Sequence, residues 1–198
     1  MQLFFQYLVS GIALGSLYAL VAIGYSLVYG VLELINMTHG TIYMIGAFMF
    51  YIAYSLWGAS IAVAALFAIA VSAILGSLIE YLTLRPLRKA RMAKTTALIC
   101  TIGVSTILQN LMLFLMGSQS RSYPSLFFGK YLVVNGVYIT YLQITIVAVA
   151  AVLLVVLNLF IKRSKMGMAM RATSASYDAA ELMGISTNFV IGMTFFVG

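Results

Sequence analysis

Six apolar runs, separated by short polar or basic stretches, cover residues 5–29, 41–57, 60–84, 95–116, 142–161 and 189–198. Most are about 20 residues or longer, the length a helix needs to cross a ~30 Å hydrocarbon core, whereas barrel strands need only about 10. The dyad alternation of a transmembrane barrel is missing. Backbone groups in lipid must be satisfied within their own segment, so these runs predict helices. The expected fold is all-α, a polytopic transmembrane helical protein with about five full spans plus the start of a sixth, in a single transmembrane domain over 1–198. The closing run of about ten residues is too short to cross alone, so the sequence reads as C-terminally incomplete. Gly11 and Gly15, extended by Ala19, lay a small-residue stripe on the first span that predicts a closely packed neighbour.

Composition narrows the class. With 64% of residues hydrophobic and 8% charged, the chain lacks the charged shell of a soluble domain of 198 residues. Its net charge of +7 is not a nucleic-acid signature, because nine of the eleven cations sit in 85–94 and 162–171, beside apolar spans. Such clusters orient a protein in the lipid membrane. They predict a cytoplasmic basic loop at 85–94, a second cytoplasmic loop at 162–186, and an external loop at 117–141, which holds only Arg121 and Lys130. Counting back puts 33–40 on the cytoplasmic side, unless a broken helix there lies within the membrane. Tyr51, Tyr54 and Trp57 read as an interfacial aromatic belt. Cys100 is the only cysteine, so no disulfide forms within the chain. The first residues lack the positive region of a secretory signal, so the first run is expected to be retained as a span.

Signals of enzyme chemistry are missing from the sequence: one histidine, no phosphate-binding Gly-x-x-x-x-Gly-Lys loop, no metal-ligand cluster and no Gly-x-Ser-x-Gly elbow. No cofactor is expected, and any ATP must be hydrolysed by a partner subunit. Polar residues within the spans are the candidates for a transport path. Thr101, Ser105 and Gln109 repeat every four residues, with Thr106 and Asn110 on the adjoining row. Such a stripe suits either a solute path or hydrogen bonding between helices. Asn36 and His39, in an unusually polar stretch between two apolar runs, suit either a path or the support of a broken helix. Glu33 reads as a solvated interfacial carboxylate, and Glu80 as the partner of a nearby cation such as Arg85.

The stretch after the fifth run carries the most specific pattern. Ser174 or Ser176 can cap a short helix with Asp178 in its first turn, and Gly184 supplies a left-handed stop. Ala179, Ala180 and Met183 would then form a small, mostly uncharged knob suited to a groove on another protein; an ordinary interfacial linker helix is the alternative. Asp178-Ala-Ala-x-x-x-Gly184 resembles the Glu-Ala-Ala-x-x-x-Gly loop of ABC importer permeases, with Asp for Glu and without the downstream Leu-Pro. Leu34-Ile-Asn-Met-Thr-His-Gly40 with Tyr43-Met-Ile-Gly46 resembles the Asn-x-x-His-Gly segment of the branched-chain amino acid ABC permease family. Gly11-Ile-Ala-Leu-Gly-Ser-Leu-Tyr-Ala-Leu20, Gly24-Tyr-Ser-Leu-Val-Tyr-Gly30 and Gly167-Met-Ala-Met-Arg-Ala172 fit the same family.

That resemblance implies a pore-forming permease subunit of the bacterial inner membrane, importing branched-chain amino acids by alternating access. It implies two cytoplasmic ATP-binding subunits, a second homologous permease subunit and an external solute-binding protein as partners. Arg171, Asp178, Ala179, Ala180, Met183 and Gly184 would form the coupling element that meets the ATPase. A related solute such as urea, an amide or a sugar, or a carrier without an ATPase, is the alternative.

Overall fold

The computed structural model describes residues 1–90, 92–119, 131–134 and 136–198. Arg91, Arg121, Lys130 and the middle of the predicted external loop lie outside the described residues. Helix α1 (Gln2–Leu32) is 31 residues long, about 46 Å at 1.5 Å per residue, more than the hydrocarbon core requires. It ends where Glu33 turns into the left-handed region, φ 52°, and returns its N–H to Tyr29. Helix α2 (His39–Tyr51) runs on through a π-helical turn, Ile52–Leu56. Helix α3 (Ile61–Ile79), capped by Ser60, likewise passes through a π-helical turn, Glu80–Leu84, into α4 (Arg85–Lys89). Helix α5 (Lys94–Met116) comes next.

The all-α reading of the fold holds, and the segment 117–141 adds one small element of sheet. Strands β1 (Tyr131–Val134) and β2 (Val137–Thr140) form an antiparallel hairpin, with Tyr131 opposite Thr140 and Val134 opposite Val137. The sequence carries the cause: an Asn-Gly pair between runs of β-branched and aromatic residues, with Gly136 at φ 80°. Gln6 of α1 extends the ladder with its side chain, donating to the Tyr138 carbonyl at 2.8 Å and accepting from the Tyr138 N–H at 2.9 Å. Thr140 then caps α6 (Tyr141–Arg163) in a reciprocal capping box with Gln143.

Helix α6 breaks at Ser164, whose hydroxyl caps α7 (Lys165–Ala175) through the Gly167 N–H at 2.8 Å. The bend brings Gly167 so close to the Ile161 backbone that a Cβ there would collide with it. Helices α8 (Tyr177–Leu182) and α9 (Thr187–Val197) complete the chain. Among the described residues, four helices are long and apolar enough to cross a membrane: Gln2–Leu32, Ile61–Lys89, Lys94–Met116 and Tyr141–Arg163. Their outer faces expose Leu66, Ile69, Ile107, Phe114 and Val152, which lipid solvates and water does not.

The core gathers at one end of the bundle, where Val28, Val31 and Leu32 of α1 pack with Leu84, Ala97, Met170, Ile191 and Phe195. Helix α9 lies inside it, held by two close approaches. A Cβ on Gly76 would sit 2.6 Å from the Phe195 carbonyl oxygen, and one on Gly24 would sit 2.7 Å from that of Gly198. Gly11 and Gly15, by contrast, have nothing within 4 Å of where a Cβ would stand. Gly11 and Gly15 therefore do not carry the close helix approach expected of them, and the tight contact of α1 falls at Gly24 instead.

Candidate functional site

The basic clusters, the loop after α1 and the short helix α8 all meet at this end of the bundle. Lys94 at the start of α5 pairs with Glu33 at 2.7 Å, both exposed. The pair supports the reading of Glu33 as a solvated carboxylate, and the hydrogen bond from Lys94 holds its pKa below the ordinary value. Glu80 pairs with a nearby cation as expected, though not with Arg85. It is 3% exposed, and its partner is Arg88 at 2.9 Å, while Arg85 lies over the Tyr81 ring at 5.3 Å. The π-helical turn is wider than an α-turn and under-rotates the chain, which brings Arg88 round to the face of Glu80.

Between Glu33 and His39 the chain dips back into the bundle. Asn36 is buried and organises the turn, its Oδ1 accepting from the Thr38 N–H at 3.1 Å and the Thr38 hydroxyl at 2.6 Å. The Met37 N–H donates to the Thr101 hydroxyl at 3.3 Å, two turns into α5. In the non-helical stretch before α2, Asn36 and Thr38 are buried in the bundle while Ile35 and Met37 stay exposed. A seam of polar groups continues along α2 and α5. Thr41 and Ser105 share a hydrogen bond of 2.6 Å, and Gln109 donates to both, at 3.1 and 3.0 Å.

The structure therefore brings Asn36, Thr101, Ser105 and Gln109 together and leaves His39 apart. In this conformation Thr101 and Ser105 are buried; the Thr101 hydroxyl donates to the Leu98 carbonyl of its own helix and accepts from the Met37 N–H, the Ser105 hydroxyl bonds to Thr41 of α2, and only Gln109 of the three α5 residues is open. Thr106 and Asn110 are exposed on the adjoining row and bond back to their own helix, at 2.9 and 2.8 Å. His39 faces α1, edge-on to Tyr25 with centroids 6.0 Å apart. Its ring would also stand 3.1 Å from a Cβ on Gly24.

Helix α8 is built as the sequence suggests. Of the two candidate caps it uses Ser176, whose hydroxyl accepts from the Ala179 N–H at 3.2 Å, and Asp178 sits in the first turn. At the other end Gly184 adopts φ 79°. The Ile185 N–H reaches the Ala180 carbonyl at 3.0 Å and the Gly184 N–H that of Glu181 at 2.9 Å, a Schellman stop. The knob itself is composed differently. Ala180 is buried, 3% exposed, and faces the bundle. The protruding residues are Asp178, Ala179, Leu182 and Met183, the last two 88% and 84% exposed.

Leu182 was missed as a site residue, and its helical position next to the expected Met183 is the signal that would have found it. Arg171 holds the α6–α7 bend by donating to the Ile161 carbonyl and does not reach α8. Tyr177, also missed, ties α8 to the end of α1 by donating to the Val31 carbonyl at 2.8 Å. Burial raises its phenol above the usual value and keeps it a donor. Together with Leu32, Leu34, Leu87, Arg88, Met92 and Ala97, Tyr177 lines a half-open cavity of about 160 Å³ beneath α8.

Apolar spans, a non-helical break between α1 and α2 and a braced short helix at the basic end are the features of a multi-pass membrane protein. The match to known proteins is more specific. Residues 7–198 match the family model described as the branched-chain amino acid transport system permease component, and the chain belongs to that family. It is 38% identical over 207 residues to the high-affinity branched-chain amino acid transport system permease protein BraD of Pseudomonas aeruginosa, covering 98% of this chain and 67% of that protein. The LivH permeases of Salmonella typhimurium and Escherichia coli K12, which carry the same description, are 39% identical over the same shares. No solved structure matches this chain.

Proposed function

We propose that this permease subunit forms half of the pore of an ATP-driven importer for leucine, isoleucine and valine, and that α8 is the element through which ATP hydrolysis reaches it. Its partners are two cytoplasmic ATP-binding subunits, a second homologous permease subunit and an external solute-binding protein. The observation that carries this reading is α8 itself. A helix of six residues does not stand alone in water, yet this one is capped at both ends and tied to α1 and α9. Its apolar side chains Leu182 and Met183 project away from the body. An exposed apolar tip on a braced helix suits a groove on a partner.

The two basic segments at the same end put that tip in the cytoplasm by the positive-inside rule, where an ATPase is found. The hairpin end then faces outward, toward the binding protein. Closure of the ATP-binding subunits displaces α8, and the spans rock to open the path to one side at a time. The seam between α2 and α5 is the candidate path-bordering element, with Gln109 its open group.

The test is co-assembly. The tagged chain is expected to bring down its ATP-binding subunits in mild detergent, and Asp178→Lys, which reverses a charge beside the tip, to lose them while still inserting. Unchanged association and uptake in that variant would remove the role given to Asp178. A wild-type chain that recruits no ATPase would favour a carrier that works without one.

A further inference from the structure

The basic end holds a buried polar cluster for which the docking element alone has no use. Glu80 opens the π-helical turn Glu80–Leu84 and is almost fully buried. Arg88 donates through the same Nη2 to Glu80 Oε1 and to Asn188 Oδ1, each at 2.9 Å. Asn188 lies in the first turn of α9. One residue earlier, the Thr187 hydroxyl donates to Glu181 of α8 at 2.6 Å. One hydrogen bond therefore ties α8 to Thr187 at the start of α9, and from its covalent neighbour Asn188 two more lead through Arg88 to Glu80 of the third span.

Two physical facts set this chain of contacts apart from ordinary packing. A buried ion pair carries a desolvation cost that an apolar pair of similar volume avoids, and fixing a register or a switch is the best-attested use of one. A π-helical turn holds one residue more than an α-turn and occurs mostly as a single turn, frequently at functional sites. Moving that extra residue along the helix would rotate the segment beyond it, and a coupling mechanism requires an element with two such settings. On the other side of the turn, α3 grips the Phe195 end of α9 at Gly76, so α9 touches the third span both before and after the bulge.

We propose that Arg88, by clasping Glu80 and Asn188 at once, is a positioning residue that converts displacement of α8 into movement of the π-helical turn Glu80–Leu84. The proposal rests on the reading of α8 as the coupling helix. Asn188 is the place to test it, because removing its acceptor cuts the link to α9 and leaves the Glu80–Arg88 pair intact.

The experiment uses the full assembly in proteoliposomes, with binding protein, and measures ATP hydrolysis and labelled leucine uptake in the same vesicles. Asn188→Ala is expected to hydrolyse ATP within about twofold of wild type while leucine carried per ATP falls roughly tenfold, an ordinary size for coupling between sites. Asn188→Asp, which keeps an acceptor in place, is expected to restore the ratio. Wild-type uptake per ATP in Asn188→Ala overturns the proposal. So does parallel loss of assembly, hydrolysis and uptake, which would mark a structural contact only. A wild-type assembly that hydrolyses ATP without any leucine uptake would instead overturn the importer reading on which the proposal depends.

Discussion

Gly76→Val should loosen the grip of the third span on α9, and the geometry sets the size of the effect. A Cβ at position 76 would lie 2.6 Å from the Phe195 carbonyl oxygen, a backbone atom that no rotamer change can move aside. Overpacking of this kind costs about 1–3 kcal/mol. Against it stands the gain from replacing glycine in a helix, up to about 1 kcal/mol for alanine and less for β-branched valine. Alanine therefore nets a loss of up to about 2 kcal/mol. Valine adds two methyl groups where the first carbon already collides, so the clash wins, with an expected net loss of about 2 kcal/mol or more.

Gly103 in α5 is the control, since nothing stands within 4 Å of its Cβ position, and its change to valine is expected to cost less than about 0.5 kcal/mol. Both variants are compared by SDS titration in mixed micelles, monitored by far-UV circular dichroism and by the fluorescence of Trp57, the only tryptophan. Trp57 packs against Phe67 of α3 at 5.3 Å and so reports on the helix that carries Gly76. Equal destabilisation by the two substitutions, or a Gly76→Val chain as stable as wild type, would refute the reasoning.

Three further outcomes are expected. A double-mutant cycle of Thr41→Ala and Ser105→Ala should return a favourable coupling of about 0.6–1.7 kcal/mol, the range seen for hydrogen bonds between membrane helices; zero coupling would mean that the seam does not hold α2 to α5. Tyr177→Phe removes the donor to the Val31 carbonyl while keeping the ring, and should cost about 1–2 kcal/mol in the same titration, with no change if the contact is incidental. The Glu33–Lys94 pair should add a small, salt-sensitive increment that depends on pH with a defined sign. Because the Glu33 carboxyl is lowered in the folded chain, the increment is present above its unfolded pKa and disappears as pH falls through the lower folded value. The difference in thermal midpoint between wild type and Lys94→Met should accordingly shrink on acidification, and a difference that grows would contradict the assignment.

The spans could be read from the sequence because lipid leaves the chain few options: apolar length decides where helices lie, and Lys and Arg mark their ends. The caps of α8 were legible for a similarly local reason, since Ser176 and Gly184 act on groups within a few residues of themselves. What escaped was set by contacts distant in the chain or by irregular geometry. Arg85 is close to Glu80 in sequence, but five residues of regular helix set the two about 140° apart, and the π-helical turn brings Arg88 to the face of Glu80 instead. The hairpin was missed although Asn135-Gly136 signalled it, because its strands are short and depend on Gln6 from the far end of the chain. Ala180, expected in the exposed knob, is buried, and Leu182, not named among its members, is exposed, because the face that α8 turns inward is fixed by α1 and α9. His39 could not be assigned to α1 from sequence, since only the close approach at Gly24 shows which neighbour it meets.

The most direct test of the account is leucine uptake by proteoliposomes holding this chain with its partner permease, ATP-binding subunits and binding protein, with ATP sealed on the side of the basic segments. The account predicts uptake that requires ATP on that side and binding protein on the other, and that is lost together with ATPase association in Asp178→Lys. Uptake that proceeds without ATP or without the ATP-binding subunits would contradict it.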